Sequence, residues 1–445
     1  MSRPPRYKAV VDGFAAAIRS GELPPGTRLP THRTLAREHG IALATATRVY
    51  GELTAAGLVA GEPGRGTFVR DRSGYDGLDA RRIPRGRRVA DLSFNQPLAP
   101  GQGDELREAL RRLAASGDIA SLLGQHPVGG RATDRAAVAT HLLDAGLDVP
   151  PDAVLLTAGA QHALDTAVRA LARPGDVIAV DALTYPGIKL AADVHGVELA
   201  AVPHTVEGMD LDALAALAGR RRLAAVYTMP TLHNPLGTVA SAAHRLALAD
   251  LARRADLTLI EDGTYAFLLP GPAPLQALAP ERTVHLAGLS KSVAAGLRFG
   301  HLVAPPAYVP ALTRVLRAST WGLPPLVTAL ATGWIADGTV RGLAEDRRQD
   351  ARARQEVAQR VLGGLDYRAH PAAPFGWLGL PATPGRAAGA ARALAERGVL
   401  VSTSDAFAVG TSSPRPALRL ALASPRSHLR LEDALRQVRA TAATP

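Results

Sequence analysis

The stretch His285-Leu286-Ala287-Gly288-Leu289-Ser290-Lys291-Ser292 follows an apolar run with one of only three lysines in a 445-residue chain, the others being Lys8 and Lys189. Arginine supplies the other 48 of the 51 Lys and Arg residues, so a lysine here marks a need for an amine that can lose its proton. A guanidinium stays charged at any usable pH. A neutral amine can attack an aldehyde and form a Schiff base, which makes Lys291 the first candidate for a covalent attachment point.

Outward from Lys291, from about Asp91 onward, short apolar runs at 153–156, 177–180, 197–201, 223–227, 257–260 and 284–286 alternate with helical stretches such as 161–171, 188–194 and 244–254. This alternation predicts a largely parallel sheet with helices on both faces. Ligands bind such sheets at the carboxyl ends of the strands. Several polar residues fall at those ends. The run Thr157-Ala158-Gly159-Ala160-Gln161 links a strand to a helix, and its backbone N–H groups suit a phosphate. The pair Glu261-Asp262 ends a strand and offers a carboxylate to a protonated pyridine nitrogen. Tyr185 can stack on a ring, Asn234 and Tyr265 can reach its phenolic oxygen, and Arg298 can hold a phosphate. Singly, each has a plain structural explanation. As an ordered set around Lys291 they point to pyridoxal phosphate.

Composition bounds the remaining classes. With 47% apolar residues the chain can bury cores for two to three domains. The absence of cysteine excludes disulfides, thiol nucleophiles and thiolate metal sites, and no metal is expected. Arg3, Arg6, Lys8, Asp12 and Arg19 interrupt any apolar leader, and no run is long enough for a bilayer. A cytoplasmic protein with no membrane partner is expected. Residues 1–90 hold 16 basic against 8 acidic residues, so most of the net +11 sits in the first fifth of the chain. That is the footprint of a polyanion-binding module.

Within it, residues 7–20 read as an amphipathic helix. A short helix at 32–38 with Thr31 as its N-cap, a turn at Gly40 and a second helix at 42–56 have the layout of a helix-turn-helix. Strands at 58–60 and 67–69 around Glu62-Pro63-Gly64-Arg65-Gly66 read as a wing. Residues 71–90, rich in Arg, Gly and Asp, form an exposed linker whose Arg81-Arg82 and Arg85-Gly86-Arg87-Arg88 either track phosphates or stand as solvated charge.

The run Pro25-Gly26-Thr27-Arg28-Leu29-Pro30, with Arg33, Leu35-Ala36, Thr45, Tyr50, Leu53, Gly57-Leu58 and Gly64-Arg65-Gly66-Thr67-Phe68-Val69, resembles the GntR-type winged helix-turn-helix over residues 7–70. The resemblance places DNA contacts on Arg33, Thr45 and Arg65, and position and charge add Arg28 and Arg48. Ala42-Leu43 stands where the family commonly has Ser-Arg.

Residues 91–440 resemble fold-type I enzymes of the aspartate aminotransferase-like superfamily, most closely at Ser290-Lys291, Gly296-Leu297-Arg298-Phe299-Gly300, Asn234-Pro235 and Ile260-Glu261-Asp262. By that resemblance Lys291 forms the internal aldimine and Asp262 pairs with the pyridine nitrogen. Asn234 and Tyr265 hold the phenolic oxygen, Tyr185 stacks, and Gly159, Ala160 and Arg298 hold the phosphate. Arg419, in Leu418-Arg419-Leu420-Ala421, grips an effector carboxylate. Ala160 and Gly288 replace hydroxyl residues common in relatives, which predicts weaker phosphate binding.

The whole resembles the MocR subfamily of GntR-type transcriptional regulators. The expected molecule is multidomain: a small α+β winged helix-turn-helix at 1–70, a linker at 71–90 and an α/β fold-type I aminotransferase-like domain at 91–445. The resemblance implies a homodimer with head-to-tail domain exchange, a double-stranded DNA operator, and sensing of pyridoxal phosphate or an amino compound by aldimine exchange at Lys291. Two other readings stand beside it: a working aminotransferase with an accessory DNA-binding module, and a DNA-binding protein whose body only dimerises.

Overall fold

The computed structural model describes residues 6–20, 22–23, 27–55, 58–62, 66–69, 90–96, 101–116, 118–383, 385–410 and 414–443. Its contacts divide the chain into two compact units, with the main break after Arg82.

The first unit contains helices α1 (Arg6–Ser20), α2 (His32–His39) and α3 (Leu43–Ala55), then strands β1 (Val59–Glu62) and β2 (Gly66–Val69). Thr31 caps α2 by accepting from Thr34 N at 3.2 Å, and Gly40, at φ +59°, ends it with an N–H bond to the Ala36 carbonyl. The two strands pair antiparallel from Val59 opposite Val69 to Glu62 opposite Gly66. Leu35, Val49 and Leu53 are fully buried and tie α2 and α3 into one core with Leu58 and Val59. Tyr50 fixes how the chain enters α2: its hydroxyl donates to Pro30 O at 2.5 Å, and its ring stacks on His32 at 4.5 Å.

The second unit opens with β3 (Ala90–Leu92). The expected linker extends to residue 90, so this strand begins inside it. The large sheet is built from β4 (Val154–Thr157), β5 (Val177–Asp181) and β6 (Glu198–Val202), then, after a small hairpin β7 (His204–Thr205) and β8 (Gly208–Met209), from β9 (Ala225–Thr228), β10 (Leu259–Asp262), β11 (Thr283–Gly288) and β12 (Gly300–Val303). The strand order is β4-β12-β11-β10-β9-β5-β6. All pairings are parallel except those of β12, which runs against both β11 and β4. Strands β4, β5, β9, β10 and β12 are buried along their whole length, as expected of a sheet covered on both faces.

A smaller sheet follows from β13 (Tyr367–Arg368), β14 (Phe375–Gly379), β15 (Val399–Thr403) and β16 (Ala417–Ala421), in the order β13-β14-β16-β15-β3. Helices Thr339–Leu362 and His428–Ala443 pack on it through Leu362, Leu420 and Leu435. Because β3 pairs parallel with β15, the segment after it is carried to the ends of the large-sheet strands, and Asn95 enters the site. Among the described residues no helix is long and apolar enough to cross a membrane.

Candidate functional site

Lys291 lies three residues beyond the end of β11 and is half-buried. Its Nζ donates to the backbone carbonyl of Asn95 at 2.7 Å. Burial, reinforced by the positive charges of Arg419 and Arg298, lowers its pKa to about 8. An amine with these neighbours spends a usable fraction of its time unprotonated near neutrality.

One end of the site is a close-packed glycine cradle. Gly159, at φ +84°, precedes the helix Ala160–Leu171. A Cβ on Gly300 would stand 2.6 Å from the Gly159 carbonyl carbon, and one on Gly288 would stand 2.8 Å from the Phe299 carbonyl oxygen and 3.2 Å from Ala160 N. The strand–turn–helix backbone therefore sits directly on β11 and β12. Arg298, in the left-handed region at φ +50°, donates to Ala158 O at 3.1 Å and spreads its guanidinium over Gly159. The Ser290 hydroxyl is buried with no hydrogen-bond partner. A helix N-terminus, an arginine and an unused hydroxyl together offer an anion what it needs.

At the other end, strand alternation separates the two carboxylates that close β10. Glu261 accepts from Leu275 N, Gln276 N and His285 Nδ1 and is fully engaged in holding neighbouring elements together. Asp262, on the opposite face, accepts from the Tyr227 hydroxyl at 2.9 Å and from Thr264 N at 2.9 Å. Burial raises the Asp262 pKa, so a cationic partner is what would stabilise its ionised form. Tyr265 accepts at its hydroxyl from Asn95 Nδ2 at 3.3 Å, and its ring meets Phe375 edge-on at 5.1 Å. Tyr185 lies against Gly187, where a Cβ would come within 2.2 Å of its ring. The side chain of Asn234 is buried and its Oδ1 has no partner.

Arg419 occupies β16 between Trp377 on β14 and Ser402 on β15. It is 7% exposed, and its Nε and Nη1 have no hydrogen-bond partner. Phe375 and Phe407 flank the guanidinium at 5.8 and 5.4 Å from their ring centroids. A cation held this way among aromatic walls suits an anion that arrives from outside.

The structure thus gathers Lys291, Asp262, Tyr265, Tyr185, Arg298 and Arg419 closely enough for their charges to perturb one another. Gly159 and Ala160 join them through Arg298 and Gly288. Three participants carry no clear signal in the sequence. Asn95 follows a three-residue strand with no periodicity to mark it, Tyr227 stands in an apolar run that reads as core, and Ser290 is overshadowed by the lysine beside it.

In the first unit Arg28, Arg33 and Arg48 are exposed and Thr45 is half-buried. Arg28 crosses the wing at Gly66. Arg48 is engaged inside the unit, stacked over the Tyr7 ring at 4.3 Å and paired with Glu52 at 3.5 Å. Arg65 lies outside the described residues.

A mostly parallel sheet with one reversed strand, a lysine beyond β11 and a carboxylate at the end of β10 define the body as a fold-type I aminotransferase-like domain, preceded by a winged helix-turn-helix. The chain belongs to the aminotransferase class I and II family, which matches residues 87–435, and residues 6–69 match the bacterial regulatory proteins of the gntR family. It is 28% identical to the uncharacterized HTH-type transcriptional regulator YdeF of Bacillus subtilis (strain 168), over 97% of this chain and 93% of that one. It is also 28% identical to the HTH-type pyridoxine biosynthesis transcriptional regulator PdxR of Corynebacterium glutamicum, over 78% of this chain and 77% of that one. Among solved structures it is similar to LysN, the α-aminoadipate aminotransferase of Thermus thermophilus, with a TM-score of 0.73 and 25% identity over 83% of this chain and 96% of that one. A gntR-type head on an aminotransferase-type body is the layout of MocR-type transcriptional regulators.

Proposed function

We propose that this chain is a DNA-binding transcriptional regulator whose body holds pyridoxal phosphate at Lys291 and reports the state of that site to the head. The observation that carries the reading is the buried Lys291 amine, its pKa lowered to about 8 beside Arg298 and Arg419, in a chain that also carries a gntR-type head.

When bound, pyridoxal phosphate supplies an aldehyde for the lysine and a ring that withdraws electrons. The chain's own residues do the rest. Gly159, Ala160, Arg298 and Ser290 take the phosphate. Asp262, oriented by Tyr227, pairs with the ring nitrogen, Asn234 and Tyr265 hold the phenolic oxygen, and Tyr185 covers the ring face. Arg419 receives the carboxylate of an amino compound. With the cofactor aldehyde engaged by an amino compound instead, the Lys291 amine would be free beside Arg298 and Arg419. That changes the charge of the site and supplies a free-energy difference between two arrangements of the protein.

In this reading residues 1–70 read the operator, 71–90 connect, and 91–445 sense. Arg28, Arg33, Thr45, Arg48 and Arg65 face DNA, with Arg48 released from Tyr7 on binding. The protein works in the cytoplasm as a homodimer with heads exchanged head-to-tail, so that two heads meet two half-sites.

The test is a gel-shift assay on the DNA upstream of the protein's own gene, with and without pyridoxal phosphate and a panel of amino acids. It is paired with borohydride reduction and peptide mapping. The reading requires label on Lys291 and a ligand-dependent shift. Many product turnovers per site without any change in DNA binding would replace it with the aminotransferase reading.

A further inference from the structure

Away from the Lys291 site, three residues from separate segments converge in the interior: Asp181 at the end of β5, His204 at the start of the β7–β8 hairpin, and His233 in the loop after β9. Asp181 Oδ1 lies 2.7 Å from His204 Nδ1, and Asp181 Oδ2 lies 3.4 Å from His233 Nε2. The two imidazoles face each other with centroids 4.4 Å apart. His204 Nε2 lies 2.8 Å from Thr238 Oγ1.

The hydrogen bonding of this cluster is incomplete. His233 is 1% exposed and neither ring nitrogen has a hydrogen-bond partner, and Asp181, also 1% exposed, has no hydrogen bond to Oδ2. Buried polar atoms are satisfied in the great majority of cases, so the neighbouring pair Asp181 Oδ2 and His233 Nε2 calls for a missing partner. A buried carboxylate also needs a cation.

We propose that Asp181, His204 and His233 form a binding site for one divalent transition-metal ion of the zinc class. Two imidazole nitrogens and one carboxylate oxygen are an ordinary zinc ligand set. One ligand atom from each residue can be chosen so that all three lie within 4.8 Å of one another, close enough to be drawn onto a single ion with ligands at about 2.0–2.1 Å. His204 supplies the second shell. When the ion displaces the proton between Nδ1 and Asp181, that proton moves to Nε2, where Thr238 Oγ1 accepts it and fixes the tautomer. The proton is thereby accounted for, while a divalent ion with one carboxylate leaves a net charge of +1, which an anionic fourth ligand such as hydroxide offsets.

A small cleft lined by His204, Gly208, Thr238 and His244 reaches one member of the cluster, His204. The site needs no cysteine, and for this reason the expectation of no metal, drawn from the absence of cysteine, does not bear on it. Its effect is mechanical: His233 adjoins Asn234 and Asp181 lies four residues before Tyr185, so one ion ties together two loops at the sheet's carboxyl edge.

The experiment uses untagged full-length protein, stripped with a chelator and then exposed to Zn²⁺ alone. Metal content is measured after desalting, and thermal unfolding is followed with and without the ion. The expected result is close to one ion per protomer and a melting temperature that rises with Zn²⁺ concentration. His233→Gln and His204→Leu should each weaken uptake roughly 100-fold and remove the thermal shift, while the exposed His428→Gln changes neither. If His204→Leu fails to fold, Co²⁺ titration of wild type against His233→Gln decides the case, with ligand-field bands expected only in wild type. Uptake far below one ion without a thermal shift overturns the proposal. So does stoichiometric uptake that survives in the folded variants, which would mark surface binding.

Discussion

The amine of Lys291 and the backbone carbonyl of Asn95 are joined by a 2.7 Å hydrogen bond across 196 residues of sequence. The same Asn95 donates through its side chain to the Tyr265 hydroxyl. One residue from the edge of the small sheet therefore holds both the candidate attachment nitrogen and a candidate contact to the cofactor's phenolic oxygen, so the small sheet is built into the site. A change in how Lys291 is bonded bears directly on the segment that follows β3.

The first prediction concerns pH. Condensation with an aldehyde needs the neutral amine, and the Lys291 pKa is lowered to about 8, first by burial and then by Arg419 and Arg298. Capture of pyridoxal phosphate by the stripped protein should slow about tenfold per unit as pH falls below 8 and level off above it. Stopped-flow absorbance against pH measures this. In Arg419→Gln the midpoint should move upward by less than the distance that burial moved it down. Lys291→Ala should give no borohydride-stable label at any pH.

The ring-nitrogen end should respond in two sizes. Asp262→Asn removes the carboxylate proposed to stabilise a ring cation, costing about 1.5–3 kcal/mol, or roughly 10–100-fold in cofactor affinity. Tyr227→Phe leaves the carboxylate but removes its 2.9 Å hydrogen bond, costing about 1 kcal/mol. Equilibrium titration of stripped protein with pyridoxal phosphate separates the two. Equal losses would place Tyr227 in direct contact with the cofactor.

How much of this is legible in the sequence follows from the physics of each residue. Asp262 ends a strand and Lys291 follows one, where polarity breaks an apolar run, and both are visible without coordinates. Between Glu261 and Asp262 only the family resemblance decides in the sequence, whereas in the sheet alternation gives Glu261 to His285 and Asp262 to Tyr227. Asn95 is invisible because a three-residue edge strand has no periodicity. The Asp181–His204–His233 cluster is invisible because only tertiary folding closes gaps of this kind, 23 residues in the case of Asp181 and His204. In the head, capping and turn residues mark α2 to within one residue, whereas the tie between Arg48 and Tyr7 cannot be read from spacing.

The expectation that Gly288 weakens phosphate binding for want of a hydroxyl meets a steric limit. A Cβ there would lie 2.8 Å from the Phe299 carbonyl oxygen and 3.1 Å from Gly300 Cα, both backbone atoms that cannot turn aside. Gly288→Ser should therefore lower stability by about 1–3 kcal/mol and leave cofactor affinity no better. Thermal unfolding and cofactor titration of the same sample check both halves.

The head should separate from the body in its response to substitution. Arg33→Ala and Arg65→Ala should each reduce the slope of log affinity against log salt by about 0.9, the signature of one lost phosphate contact, with Lys291 labelling unchanged. Arg48→Ala should act differently, because it removes a stacking contact at 4.3 Å on Tyr7 and a pair with Glu52. It should cost the head about 0.5–1 kcal/mol of stability in addition to any loss of DNA affinity. Fluorescence anisotropy at several salt concentrations, with a melting curve for each variant, distinguishes a contact from a strut.

The last prediction sets stability against response at Arg419. With Nε and Nη1 unpartnered at 7% exposure, the guanidinium is a buried cation that waits for an anion. Replacing such a group by an apolar one of similar reach removes a desolvation cost that the protein otherwise carries. In the absence of amino compounds, Arg419→Leu should raise the unfolding free energy by about 1–3 kcal/mol. It should keep pyridoxal phosphate on Lys291 and lose the response to carboxylate-bearing amines, seen as an absorbance change that no longer saturates with added amino acid. Amines lacking a carboxylate should act alike on variant and wild type. If Arg419→Leu instead loses stability, the arginine is a structural member of the small sheet, and the carboxylate anchor must be sought elsewhere in the cleft.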